Sequence, residues 1–208
     1  MSIALMTFDI FGTVLDWRRG LREALPGPLP DAAFDRIVDR QGELERERFR
    51  PYAEIVAQSL VEVAGVDPAR AARIGAGAGN WPLFADSAAA LRRLREVTRC
   101  AATTNSDLAH GDQVRAQLGF DLDGWICAEA VRAYKPDAEV WRTASRVMAV
   151  PFGRDWWHVS AYADYDLATA RDLGLTRVLV KRPHHRAGPA DLVVEDLAEL
   201  AEVAARQS

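Results

Sequence analysis

The chain has 208 residues, of which 49% are hydrophobic and 27% charged, the balance of an ordinary globular protein with a sizeable core. Its formal net charge of -4 and pI near 5.6 offer no basic face for phosphate backbones, which argues against a nucleic-acid partner. The two cysteines, Cys100 and Cys127, sit in apolar segments without metal-type spacing, so they read as core thiols rather than as a disulfide or zinc framework.

The first residues, MSIALMTFD, are apolar but too short for a signal sequence and lack a basic leader. No run approaches the roughly 18 apolar residues of a membrane span, so no membrane partner is expected and a cytoplasmic location is the default. Strand-length apolar runs follow at Ile3 to Phe8, Cys100 to Thr104, Trp125 to Cys127, Trp157 to Ser160 and Arg177 to Val180. Between them, SAAALRRLREVT, LAHGDQVRAQLG, PDAEVWRTASRVM and YDLATARDLG carry apolar residues at helical spacing. This alternation predicts an α/β fold: a Rossmann-like parallel sheet covered by helices.

Residues 17–85 break the alternation, with several helical patterns and no convincing strand. DAAFDRIVDRQGELERERF opens on Asp31 as N-cap and sets Phe34, Ile37, Gln41 and Leu44 on one face, while YAEIVAQSLVEVAG ends at a C-cap glycine, Gly65. The expected organisation is a catalytic core of 1–16 and 86–208, with a small all-helical cap, 17–85, inserted after the first strand. RIGAGAGNW lacks the spacing and strand context of a dinucleotide cradle and reads as a helix end and loop. The cationic KRPHHRAGP reads as an exposed loop after the last strand.

In an open parallel sheet, ligands bind beyond the carboxyl ends of the strands. The polar residues at those ends are Asp9 and Thr13, then Thr104, Asn105 and Ser106, then Lys135, then Asp164 and Asp166. Four segments thus bring complementary groups to one edge. Each has a plainer reading: a turn acid, a strand-end hydroxyl, a solvated lysine before Pro136, or an N-cap at Asp166.

In order, FDIFGTVLDW, CAATTNSD, VRAYKPD and HVSAYADYDLATARDLGL resemble the four motifs of the haloacid dehalogenase superfamily across essentially the whole chain, most closely its L-2-haloacid dehalogenase branch. The resemblance implies that Asp9 is a nucleophile forming an ester, that Thr104 and Asn105 hold oxygens, that Lys135 offsets negative charge, and that Asp166 orients water or Lys135. Phe11 stands where phosphatases of the superfamily carry a general acid; a departing halide needs no proton, so its loss suits carbon–halogen cleavage. The cap segment DRQGELERERF resembles the helix that carries the branch's substrate arginine, which makes Arg40 the candidate to receive a substrate carboxylate or the departing halide; with Arg46, Arg48 and Arg50 nearby, a salt-bridged surface helix is the alternative.

Thr13, Trp17, Trp141 and Tyr162 complete the expected site. Trp141 replaces the branch's tyrosine, Ala163 its Asn or His, and Tyr162 stands at the position of a phosphatase acid. The implied activity is metal-independent hydrolysis of a small 2-haloacid to a 2-hydroxyacid, without cofactor. The alternatives are another small electrophilic carboxylate, a magnesium-dependent phosphatase encouraged by Asp164 and Asp166, and a non-catalytic ligand-binding protein. Some of the six tryptophans are core or subunit contacts, which leaves a homodimer open.

Overall fold

A computed structural model describes residues 3–25 and 27–207. Six strands form one parallel sheet in the order β3-β2-β1-β4-β5-β6: β1 (Leu5–Phe8), β2 (Cys100–Thr104), β3 (Gly124–Cys127), β4 (Trp156–Ser160), β5 (Thr176–Val180) and β6 (Leu192–Val194). All residues of β1 and β2 are buried, which is why they read as continuous apolar runs: helices cover both faces of the sheet. After β1 the chain makes a long helical excursion through α1 (Trp17–Ala24), α2 (Asp31–Glu45), α3 (Tyr52–Ala64) and α4 (Pro68–Ala76) before α5 (Ser87–Val97) leads into β2.

The helices α6 (Leu108–Leu118), α7 (Ala128–Val131), α8 (Glu139–Met148), α9 (Asp166–Asp172) and α10 (Leu197–Ala205) connect or follow the remaining strands. The expected α/β class and the five anticipated strands are present, while β6 and α10 add to them. Three-residue β6 is too short to show a period. Cys100 and Cys127 are buried free thiols.

The excursion is tied to the sheet side by polar contacts that satisfy helix ends. The Asp107 carboxylate, just before α6, accepts the first N–H groups of α3 from Tyr52 at 2.7 Å and Ala53 at 2.8 Å. Gln113 of α6 donates to the Ala76 carbonyl at 2.9 Å, at the end of α4. Gly65 ends α3 in the left-handed region at φ 61°, as expected of a C-cap glycine. Asp31 differs from expectation: Pro30 occupies the N-cap, and the Asp31 carboxylate instead receives Arg22 at 2.6 Å.

This topology fixes where chemistry can occur. β1 has β2 on one side and β4 on the other, so the chain leaves in opposite directions around the end of β1 and a crevice opens there. α2 and α3 form the facing wall.

Candidate active site

The chain turns sharply after β1. The Ile10 carbonyl accepts the N–H groups of Thr13, Val14 and Leu15, and Gly12 bridges the turn at φ 101°. A side chain at Gly12 would collide with the Tyr162 hydroxyl, so glycine answers both the backbone conformation and the ring packed over it. The turn leaves Asp9 only 2% exposed at the floor of the crevice. Thr13 Oγ1 donates to Asp9 Oδ2 at 2.7 Å and accepts the Ala161 N–H at 2.9 Å.

Arg182 holds this turn from behind. Its Nε donates to the Thr13 carbonyl at 2.9 Å, and its two Nη atoms clasp the Asp86 carboxylate at 2.8 and 3.0 Å. The KRPHHRAGP segment is therefore not uniformly an exposed loop: Arg182 is 6% exposed, because it is the internal clip between β5 and the first turn. Composition alone reports a cationic loop and conceals which cation turns inward.

Lys135 Nζ lies between two acids, donating to Asp9 Oδ1 at 2.9 Å and Asp166 Oδ2 at 2.8 Å. Asp166 Oδ2 also accepts from Ser160 Oγ at 2.9 Å, and His158 Nε2 lies 3.6 Å from it. Asp166 opens α9 as its first residue, with Tyr165 at the N-cap, so its carboxylate is turned to the lysine rather than to helix capping.

Burial sets the baseline for all three ionisable groups. It raises the Asp9 carboxyl above the usual carboxylate range, with the Asp166 charge adding to the rise and Lys135 and Thr13 opposing it. Burial works against the Asp166 charge too, but Lys135 and His158 outweigh it and carry its pKa below the usual value. Burial likewise disfavours the Lys135 ammonium, yet Asp166 and Asp9 together hold its pKa above that of a free lysine. The trio is a cation shared by two carboxylates.

Asn105 acts on the lysine. Its Oδ1 accepts the Lys135 N–H at 2.7 Å and its Nδ2 donates to the Lys135 carbonyl at 3.1 Å, clasping the backbone on both sides. Thr104 departs from the expected oxygen-holding role: its hydroxyl is fully buried, has no hydrogen-bond partner among the described residues and is absent from the cavity wall, because it belongs to the covered interior of β2.

A cavity of about 520 Å³ opens above Asp9 and Lys135. Phe11, Trp17 and Tyr162, three of the candidate substrate-binding residues, line it. Phe11 lies edge-on to Tyr52 at 5.6 Å and to Trp81 at 6.0 Å, while Trp17 Nε1 donates to the Tyr162 hydroxyl at 2.8 Å. Thr13 supports Asp9 from below the wall. Trp141 must be corrected: it is fully buried among α8 and sheet residues and sits edge-on to His158 at 5.3 Å, outside the cavity.

Arg40 must also be corrected. Its Nε donates to Glu62 at 2.6 Å and its Nη1 to Glu43 at 2.9 Å, and it is absent from the cavity wall. The wall of α2 is built from Val38, Gln41, Gly42, Glu45 and Arg46. Neighbouring residues on a helix differ by about 100° in direction, so Arg40 leaves α2 on the side that meets Glu62 of α3, while Val38, Gln41, Gly42 and Glu45 share the cavity side and Arg46 follows them as the C-cap. Arg46 has no ion-pair partner among the described residues, whereas Arg186, also on the wall, is paired with Asp164 at 2.9 Å. Sequence reasoning missed Glu45 and Arg46: Glu45 lies one turn after Gln41, and Arg46 follows the end of the helix, where no period marks it.

Among the described residues, no group of three or more His, Cys, Asp or Glu side chains is arranged to hold a metal. The donor chemistry explains this locally. The position between the Asp9 and Asp166 carboxylates is filled by the Lys135 ammonium, and Asp164 is turned to Arg186. The residues present do not fit a divalent cation bridging the two acids.

Neither a family profile nor a curated protein matches the chain. Solved structures do. An L-2-haloacid dehalogenase of 26% identity superposes with a TM-score of 0.82, covering 99% of this chain and 100% of that one. The L-2-haloacid dehalogenase from Xanthobacter autotrophicus, 18% identical, gives 0.84 with full coverage of both chains, and a second structure of it holds chloropropionic acid covalently bound. A putative HAD-hydrolase from Bacillus subtilis bound to magnesium, 14% identical, gives 0.77 and covers 98% of this chain and 99% of that one. The fold is that of the haloacid dehalogenases, as the motif resemblance implies.

Proposed function

We propose that the chain is a hydrolase of the haloacid dehalogenase type that converts a small 2-haloacid to the 2-hydroxyacid through an ester on Asp9. The observation that carries this reading is the pairing of a buried, doubly held carboxylate at the cavity floor with Phe11 two residues on. The carboxylate is shielded from bulk water and directed by Thr13 and Lys135, which suits attack on carbon. Phe11 can give no proton to an oxygen leaving group, whereas a halide departs as the anion.

In the first half-reaction an Asp9 oxygen bonds to the α-carbon from the side opposite the halogen, and the carbon–halogen bond breaks with its electron pair on the halide. In the second, water attacks the acyl carbon of the ester and the 2-hydroxyacid leaves from Asp9. Lys135 stabilises the carboxylate before and after, and Asp166 and Asn105 keep the lysine in place. Residues 17–85 act as the cap over the site. Arg46 takes the substrate-carboxylate role expected of Arg40, because it is the guanidinium on the wall that forms no salt bridge among the described residues.

Support for a magnesium-dependent phosphatase is weaker, since an ammonium occupies the position between the two acids and Phe11 replaces the proton-transferring residue. A single turnover in water enriched in heavy oxygen, run with chelator present, tests the mechanism. The label is expected in Asp9 by peptide mass analysis, with turnover unaffected by the chelator. Label found in the product alone would overturn the ester intermediate, and activity restored only by magnesium would favour the phosphatase.

A further inference from the structure

On the strand-end side of the cavity, Phe11 offers no polar hydrogen to a leaving atom. The opposite wall supplies a carboxyl. Glu45 ends α2 one turn after Gln41 and lines the same cavity as Asp9 and Lys135. Its Oε2 accepts a hydrogen bond from Asn105 Nδ2 at 3.3 Å, a contact that joins the helical wall to the side chain clasping Lys135. Its Oε1 has no partner among the described residues and is the oxygen left for a ligand.

The surroundings favour the neutral form of this carboxyl. Tyr52 of α3, Tyr134 beside Lys135 and Tyr165 before α9 all feel its charge, and the other charged groups acting on it are Lys135, Arg46 and Asp166. Burial raises its pKa to about 8, which Lys135, the Asn105 bond and Arg46 offset only in part. With Oε2 engaged as an acceptor, the proton resides on the free Oε1. A neutral Glu45 also spares the site a third negative charge beside an anionic substrate.

We propose that Glu45 is a catalytic hydrogen-bond donor, its Oε1–H holding the departing halide as Asp9 displaces it. This rests on the ester mechanism proposed above. The Asp9–carbon bond forms as the carbon–halogen bond breaks; the halogen keeps the electron pair and leaves as the anion, hydrogen-bonded by Glu45, which keeps its proton. Water then bonds to the acyl carbon, the ester bond breaks to release an alkoxide that takes one of the water's protons, and the other passes to solvent. One water is consumed, one halide and one proton are released, Asp9 returns to its starting state and Glu45 is unchanged. The substrates that need such a group are 2-substituted carboxylates whose leaving anion accepts hydrogen bonds strongly, fluoride above the heavier halides.

The test compares the parent protein with Glu45→Ala and Glu45→Gln on 2-fluoropropionate and 2-bromopropionate, reading halide release across pH. The alanine variant is expected to lose about a hundredfold more on the fluoro acid than on the bromo acid, the span of one preorganised donor, and the glutamine variant, whose amide still donates, to lose less. The parent's fluoride release should fall as pH rises through about 8, and that limb should vanish in both variants. Infrared difference spectra give a readout independent of turnover: a protonated-carboxyl band lost across the same pH interval in the parent and missing from both variants. Equal losses on both halogens, or absence of that band, would overturn the role of Glu45 alone. A parent that releases halide from neither acid would strike the ester mechanism, and this role with it.

Discussion

The two walls of the cavity are built on different principles. The strand-end wall is closed and internally satisfied: Asp9, Lys135 and Asp166 are at most 2% exposed, and each is fixed by bonds from a second residue, Thr13, Asn105 or Ser160. The helical wall carries its polar groups half free, with Arg46 in no salt bridge and one Glu45 oxygen without a partner among the described residues. Groups that must not move during bond-making belong on the first wall, where the sheet dictates their positions. Groups that meet varied substrates belong on the second, where one residue's change in helical phase alters what the cavity presents.

Removing the shared cation breaks the first wall most severely. Lys135→Met leaves two buried carboxylates facing each other without a cation, and breaking a buried pair of this kind costs about 3–5 kcal/mol. Halide release should fall by about a hundredfold or more, the scale of losing one preorganised charge-stabilising donor. The pH dependence has a definite sign. Without Lys135 both carboxyl pKa values in the folded protein rise above their unfolded values, so their contribution to stability is fullest in acid and is lost as pH rises through the folded values. The melting temperature of the variant should therefore recover, relative to the parent, as pH is lowered from neutrality. A parent-like melting temperature at neutral pH would show that the trio is not held as an ion-paired unit.

The contrast between the walls also explains what could be read from the sequence. Asp9, Asn105, Lys135 and Asp166 were legible because a parallel sheet brings the residues after its strands to one edge whatever the details of packing, and four motifs in order identify them together. Trp141 and Thr104 were misplaced because position along the chain does not say which face of an element is covered; both point into the interior. Arg182 was hidden because a cationic loop carries no period from which an inward-facing residue can be picked out. β6 lacked the length to announce itself.

On the helical wall, Arg46 provides a finer test. Replacing it with glutamine removes a guanidinium from the cavity rim without touching the trio below. The expected result is a rise in KM of about tenfold with a smaller change in kcat, since one charge-assisted contact made equally in the ground and transition states is lost. An unchanged KM for an anionic substrate would mean that the carboxylate is received elsewhere, with Arg186 the remaining guanidinium on the wall, already engaged by Asp164.

The smallest effect is expected at Arg40, which the motif resemblance alone would rank among the largest. Its two partners, Glu43 and Glu62, lie on the outer faces of α2 and α3, and their side chains are 59% and 41% exposed, so water screens both pairs. Arg40→Gln should therefore lower the melting temperature slightly, more at low salt than at high, and leave kcat/KM within about twofold of the parent, because exposed pairs contribute little and no cavity contact is lost. The informative outcome is the opposite one. A KM increase of about tenfold in Arg40→Gln, with Arg46→Gln silent, would require α2 to turn or shift on binding until Arg40 leaves Glu43 and Glu62 for the substrate. The helical wall would then be a part that rearranges around its ligand, and the division between a fixed wall and an adaptable one would be sharper than the unliganded geometry alone conveys.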